Sequence, residues 1–284
     1  MADTIRITTG LFFYERLMMR KNFYIETKLG QVHGRKYGES NKTIICLHPM
    51  PYSGGYYDTF CNDLVSQTDI AAISLDMLGY GQSSKIEEPI SIEDYAFNVI
   101  EVLKSLKDSG VLSDEVTLLG FHTGSAIANE IAIHEPELIA KVIFVTYPFF
   151  DVAKREQLLE SQTKGSIEES IDCLKGMWEF TITNRSEGIS IERAYENFID
   201  QVKNMPVSWY GFYSMFNYPS EDRLPLLQHV PLIINDTSSL TEPTKIAMSL
   251  VHNSEYVELE DVKGGIFELN TDQIIEHVSR YLGI

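Results

Sequence analysis

The chain is predicted to fold as an α/β protein: a mostly parallel, twisted sheet flanked by helices and interrupted by one helical insertion. Three observations predict this. Short apolar, β-branched runs alternate with segments of helical period through the first half of the chain. From Asp151 to about His229 no convincing strand occurs, and the pattern is helical. The strand pattern then resumes in Val230-Pro231-Leu232-Ile233-Ile234 and in Tyr256-Val257-Glu258-Leu259. A chain of 284 residues can bury one sizeable core plus an insertion without disulfides or metal, and a hydrophobic content of 44% is ordinary for a globular protein.

Phe23–Lys28 and Gln31–Arg35 flank Leu29-Gly30 as a β-hairpin. Thr43–Leu47 is a short apolar strand that runs into His48-Pro49-Met50-Pro51, and Ile70–Leu75 is another that runs into Asp76-Met77-Leu78-Gly79-Tyr80-Gly81-Gln82-Ser83. Val116–Leu119 is followed by Gly120-Phe121-His122-Thr123-Gly124 and then by Ser125–Ala132, whose small residues let a helix sit close against a sheet. Val142–Tyr147 completes this series of strands. Inside the insertion, helices are predicted over Glu156–Gln162, Ile167–Thr181 and Ile191–Asn204, and Asp272–Tyr281 closes the chain as an amphipathic helix. The resulting division is a core of residues 1–150 and 226–284 with a helical cap over residues 151–225.

Residues 120–124 form the most informative segment. A sharp strand-to-helix turn that holds its central residue at positive φ crowds the backbone on both sides, so glycine two positions before and two after the tip makes steric sense. Both glycines are present, and the tip is His122. Together with the loops at His48-Pro49-Met50-Pro51 and Asp76–Ser83, this turn resembles the nucleophile elbow, oxyanion loop and Asp-x-x-Gly-x-Gly-x-Ser turn of the α/β-hydrolase superfamily. The resemblance is to its AB hydrolase-1-like members with a helical cap, and it runs from about Tyr24 to the C-terminus. It implies the α/β-hydrolase fold, a cap inserted after the sixth core strand, and an oxyanion hole formed by the backbone N–H groups of Met50 and Thr123. The chain departs from the family in having His122 where a serine stands, and Pro49 where the loop commonly has glycine.

The other two triad positions also differ. In the resemblance, Ile266 occupies the histidine position of the turn Val262–Phe267, and Ser238 falls at the acid position with Asp236 nearby. An ordinary serine-esterase mechanism is therefore not expected. Of the seven histidines, His48 and His122 are expected at the carboxyl edge of the sheet, where chemistry in open α/β sheets takes place. His48 reads mainly as a brace for the oxyanion loop and is also a candidate pocket residue. His122 has two readings: an imidazole merely tolerated at the positive-φ tip, or a general base or nucleophile aimed at the oxyanion donors. Asp236 or Asp151 are the candidates to orient its ring. Asp76 is expected to brace its own turn. Within the cap, Trp178, Trp209, Tyr210 and Tyr213 are the aromatics expected to roof an apolar pocket.

A formal net charge of −18 disfavours nucleic acid and anionic membrane as partners. Three cysteines without framework spacing read as packing residues in a reducing compartment, and Glu15 and Arg16 interrupt Leu11-Phe12-Phe13-Tyr14 before a secretory core can form. A cytoplasmic location is expected. No His-x-x-x-His or Cys-x-x-Cys spacing points to a metal, and no Gly-x-Gly-x-x-Gly loop points to a nucleotide cofactor, so no cofactor is expected. The expected partner is a small-molecule substrate or ligand, and the sequence leaves room for a homodimer. Three hypotheses follow: an enzyme acting on a small, partly apolar carbonyl compound (an ester, a lactone or a β-dicarbonyl), by hydrolysis or by lyase or isomerase chemistry; a silent homologue that binds a ligand; or an interaction protein whose cap presents aromatics to a partner.

Overall fold

The computed structural model describes residues 20–112, 115–164 and 168–284. The N-terminal run Leu11–Tyr14 and the start of the helix predicted from Ile167 lie outside them. Eight strands form one sheet: β1 (Arg20–Thr27), β2 (Gly30–Tyr37), β3 (Lys42–Leu47), β4 (Ala71–Leu75), β5 (Glu115–Phe121), β6 (Lys141–Val145), β7 (Leu232–Asp236) and β8 (Glu255–Leu259). Their order across the sheet is β1-β2-β4-β3-β5-β6-β7-β8. The hairpin pairs antiparallel, β2 pairs antiparallel with β4, and every pair from β4 to β8 is parallel. The strands from β4 to β8 therefore end at one common edge.

Alternation along the strands divides the core. Ile45 and Leu47 of β3 face one layer with α2 (Ile92–Asp108) and α3 (Thr123–His134), whereas Ile44 and Cys46 face the other with α1 (Asp58–Gln67) and α10 (Thr271–Leu282). Each such fully buried side chain stabilises the fold by about 1.5–3 kcal/mol. α2 starts at a capping box in which Ser91 Oγ accepts from Asp94 N–H (3.0 Å) while Asp94 accepts from Ser91 N–H (3.1 Å). α3 is buried on every side from Thr123 to Ala132, as a helix laid across a sheet centre must be. Its one buried charge, Glu130, is held by Arg223 through Nε (2.7 Å) and Nη2 (2.6 Å) and by the Tyr218 hydroxyl (2.6 Å). Glu93 and His134 converge on the same carboxylate, but Arg223 already supplies its counter-charge there.

Between β6 and β7 the described chain is helical: α4 (Val152–Ser161), α5 (Asp172–Trp178) continuing into a π-turn (Glu179–Thr183), α6 (Ile191–Asn204), α7 (Tyr210–Phe216) and α8 (Ser220–Arg223). α9 (Thr241–Leu250) follows β7. Two strand ends differ from the sequence reading for a visible reason. β6 stops at Val145 rather than Tyr147 because Thr146 turns to φ 46°, and β2 runs on to Tyr37 because it finds β4 as a partner.

Candidate active site

β5 passes into α3 through His122, whose backbone sits at φ 49° and ψ −119°. Among the described residues, His122 and Thr146 are the non-glycine residues at positive φ. The flanking glycines are demanded by contact. A Cβ on Gly120 would lie 2.2 Å from the Gly124 carbonyl oxygen, and one on Gly124 would lie 1.9 Å from the Leu47 oxygen. The end of β3 is thus pressed against the first turn of α3. The turn is secured by His122 N–H donating to Val145 O (3.2 Å), Ser125 N–H to His122 O (2.8 Å) and Ser125 Oγ–H to Gly120 O (2.7 Å).

The His122 ring lies against Phe121, with centroids 3.9 Å apart, and Phe121 stacks on Tyr56 at 5.8 Å. Tyr56 in turn meets Tyr52 at 4.9 Å. Among the described residues the imidazole has no hydrogen-bond partner. Burial alone pushes its pKa down to about 4, so the ring is neutral at neutral pH. Neither expected carboxylate orients it. Asp151 is exposed and caps α4, accepting from Lys154 N–H at 2.8 Å. Asp236 is buried at the end of β7, where the Thr146 hydroxyl donates to it at 3.1 Å and burial raises its pKa. The aromatic run Tyr52-Ser53-Gly54-Gly55-Tyr56-Tyr57, directly after the His48 motif, was the available signal for these neighbours of the ring.

Two backbone donors lie in the segments that meet at the elbow: Thr123 directly after the tip, and Met50 in the loop after β3. The N–H groups of Met50 and Thr123 have no hydrogen-bond partner among the described residues, although both residues are buried, with 5% and 6% exposure. The Thr123 N–H is one of the first-turn donors that helix geometry leaves without an intrahelical partner, and such donors can receive negative charge. The loop after β3 approaches the first turn of α3: a Cβ on Gly124 would lie 3.2 Å from His48 O. His48 holds the loop: its Nδ1–H donates to Pro49 O (3.1 Å) and its Nε2 accepts from Met77 N–H (2.9 Å), which fixes the tautomer. Burial pushes its pKa down to about 4. With both nitrogens used and no exposure, His48 is a brace and not a pocket wall.

Asp76 braces its turn as expected, accepting from Gly54 N–H (2.8 Å) and Gln82 N–H (2.8 Å) and pairing with Arg35 Nη1 (2.6 Å). Against the cost of burial, His33 and Arg35 hold its carboxyl well below the usual carboxylate range. His33 corrects the sorting of histidines. Because β2 runs antiparallel to β4, the start of β2 lies at the carboxyl edge, and His33 Nδ1 reaches Asp76 Oδ2 at 2.8 Å.

The aromatics of the insertion divide. Tyr210 is buried and donates through its hydroxyl to Glu87 O (2.5 Å), with Trp209 packed edge-on against it. Tyr213 meets Trp209 but is 40% exposed. Trp178 packs against Tyr195 and Phe198, within the insertion, and is 38% exposed. Within this aromatic run it is a glycine that meets the loop after β3: a Cβ on Gly211 would lie 2.4 Å from Met50 Cβ. A cavity of about 290 Å³ opens between α6 and this loop, lined by Arg35, Ser53, Gly55, Arg193, Asp200 and Lys203 among others.

A parallel sheet from β4 to β8, a glycine-framed tip at φ 49° after β5 and a helical insertion after β6 agree with a match of residues 42–160 to the family described as the alpha/beta hydrolase fold. The chain has the α/β-hydrolase fold. Solved structures with this fold superpose over nearly the whole length. An esterase from Exiguobacterium antarcticum is similar with a TM-score of 0.75 at 18% identity, covering 93% of this chain and 100% of that one. An epoxide hydrolase from Vigna radiata gives 0.73 at 12% identity, covering 94% and 99%. An N-acyl homoserine lactone degrading enzyme gives 0.69 at 18% identity, covering 91% and 100%. Among curated proteins no sequence matches this chain. Ile266, which the resemblance puts at the histidine position, has no exposure and belongs to the core with Phe267. Among the described residues, no helix is long and apolar enough to cross a membrane.

Proposed function

We propose that this chain is an enzyme acting on a small, partly apolar carbonyl compound of ester, lactone or β-dicarbonyl type, bound beneath residues 151–225 as a cap. His122 stands in the place of the nucleophilic serine and acts as general base or nucleophile, and the N–H groups of Met50 and Thr123 form the oxyanion hole. What supports this reading is an imidazole, neutral at neutral pH, held at a strained φ on the turn that carries the unpaired Thr123 N–H, with the end of β3 pressed against that turn.

The missing carboxylate narrows the chemistry. A half-buried imidazole that gains a proton, or is acylated, becomes cationic with no acidic side chain hydrogen-bonded to it. The compensating charge then has to be the substrate's own oxyanion, formed as an enolate or a tetrahedral adduct and held by Met50 and Thr123. Opposite charges formed side by side stabilise each other at the step where both appear, the more so where water is excluded. Proton abstraction next to a carbonyl, and addition of water or of the ring itself to an ester or lactone, satisfy this requirement.

The same low pKa favours a second reading, a silent homologue that binds a ligand under the cap, because an imidazole with pKa about 4 is a weak base. Turnover separates the two. Short-chain aryl esters, lactones and β-keto acids are offered to the wild type, His122→Ala and His122→Ser. The enzyme reading predicts turnover of one class and a loss of about a hundredfold or more in His122→Ala. Three folded and equally inert proteins would leave ligand binding as the function.

A further inference from the structure

One face of α6 is bonded to the loops after β3 and β4. Its polar residues Arg193, Asn197, Asp200 and Asn204 recur at helical spacing, and three of them reach backbone groups there. Asp200 Oδ2 accepts from Ser53 N–H at 2.7 Å. Asn204 Nδ2 donates to Pro51 O at 2.9 Å, and its Oδ1 accepts from Gly81 N–H at 3.1 Å. Arg193 Nη2 donates to Gly55 O (3.0 Å) and Tyr56 O (3.2 Å), while its Nε is held by Glu268 (2.8 Å). Asn204 has no exposure, so its carboxamide is a buried clip between the loop after β3 and the loop after β4. The following segment adds to it: the Tyr80 hydroxyl donates to Val207 O (3.1 Å) and accepts from Gly211 N–H (2.9 Å).

The two unpaired donors differ in what holds them. Thr123 N–H belongs to the first turn of α3 and is fixed by the elbow itself. Met50 N–H lies on a loop whose next residues, Pro51, Ser53, Gly55 and Tyr56, are held from the insertion. We propose that α6 is the positioning element of this site, with Asn204 and Asp200 as positioning residues that set the direction of Met50 N–H toward the space Thr123 N–H also faces. The proposal rests on reading those two donors as an oxyanion hole. Its physical basis is that an amide side chain offering both a donor and an acceptor can fix two loops at once without adding charge, and that losing it leaves Pro51 O and Gly81 N–H buried and unpaired. A ligand that moves α6 would thereby change one donor and leave the other in place.

The test uses full-length Asn204→Ala, Asp200→Ala and Asp200→Asn, with the exposed Glu192→Ala on the same helix as control. Amide hydrogen exchange is followed across residues 50–56 and at Gly81, alongside Tm. The ¹H–¹⁵N signals of Met50 and Thr123 are titrated with butyrate. Asn204→Ala and Asp200→Ala are expected to speed exchange of the loop amides about tenfold, and to weaken the butyrate response at Met50 about tenfold, with the sheet amides unchanged. Asp200→Asn, which keeps an acceptor, recovers most of the protection. Wild-type loop exchange in both alanine variants, or faster exchange spread equally over the sheet, overturns the proposal. Should Asn204→Ala fail to fold, the two Asp200 variants decide it. Butyrate that shifts neither amide in the wild type sinks the oxyanion reading, while the exchange arm still decides for or against α6 as the loop's support.

Discussion

Gly124 shows how little freedom the elbow leaves. Its missing Cβ is the space through which Leu47 O approaches the first turn of α3, and that approach brings the start of the loop after β3 against the elbow. Gly124→Ala would put a carbon 1.9 Å from that oxygen, and neither backbone can give way cheaply because β3 and β5 are paired along their length. The substitution is expected to cost about 3 kcal/mol and to push the loop away from α3. Urea unfolding reads the first effect. An alanine variant with wild-type stability would mean that the contact is looser than described.

At the scale of elements, the loops after β3 and β4 are locked together by His48, whose two ring nitrogens bond to Pro49 O and Met77 N–H. The lock requires a neutral ring. Burial lowers the His48 pKa from 6.5 to about 4, so between those values the unfolded chain binds a proton that the native chain does not. Stability therefore falls as pH drops through that window, by on the order of 3 kcal/mol for this residue. His122 acts in the same direction. Carboxyls titrate over part of the same range, so the informative quantity is the difference between wild type and His48→Gln. Urea midpoints measured from pH 7 to pH 4.5 should fall less steeply in the variant, and parallel curves would contradict a neutral buried His48.

For the molecule as a whole, much of the architecture was legible in the chain. Strand–helix alternation, the glycine frame around His122 and the strand-free stretch after Asp151 predicted a parallel sheet with a helical insertion, and the sheet and the helices between β6 and β7 agree. Strand direction was less legible. Nothing local to His33 says that β2 will pair antiparallel with β4, yet that pairing is what carries His33 to the carboxyl edge and onto Asp76. The carboxylates went astray for a related reason. Asp151 and Asp236 lie after the right strands, but an N-cap and the Thr146 hydroxyl claim their oxygens, and such competition is visible only in three dimensions. The polar stripe of α6 could be read from its spacing. Its target, a loop some 150 residues earlier in the chain, could not.

The central claim is that the strained tip is kept for the imidazole it presents. Replacing His122 by glycine removes the ring and also relieves the positive φ, so stability and activity should move in opposite directions. The decisive measurement is turnover by His122→Gly, on whichever carbonyl class the wild type converts, with Tm recorded on the same preparation. We predict a protein more stable by about 1 kcal/mol that has lost about a hundredfold or more of the wild-type rate. A stabilised His122→Gly protein that turns over substrate at the wild-type rate would contradict the account.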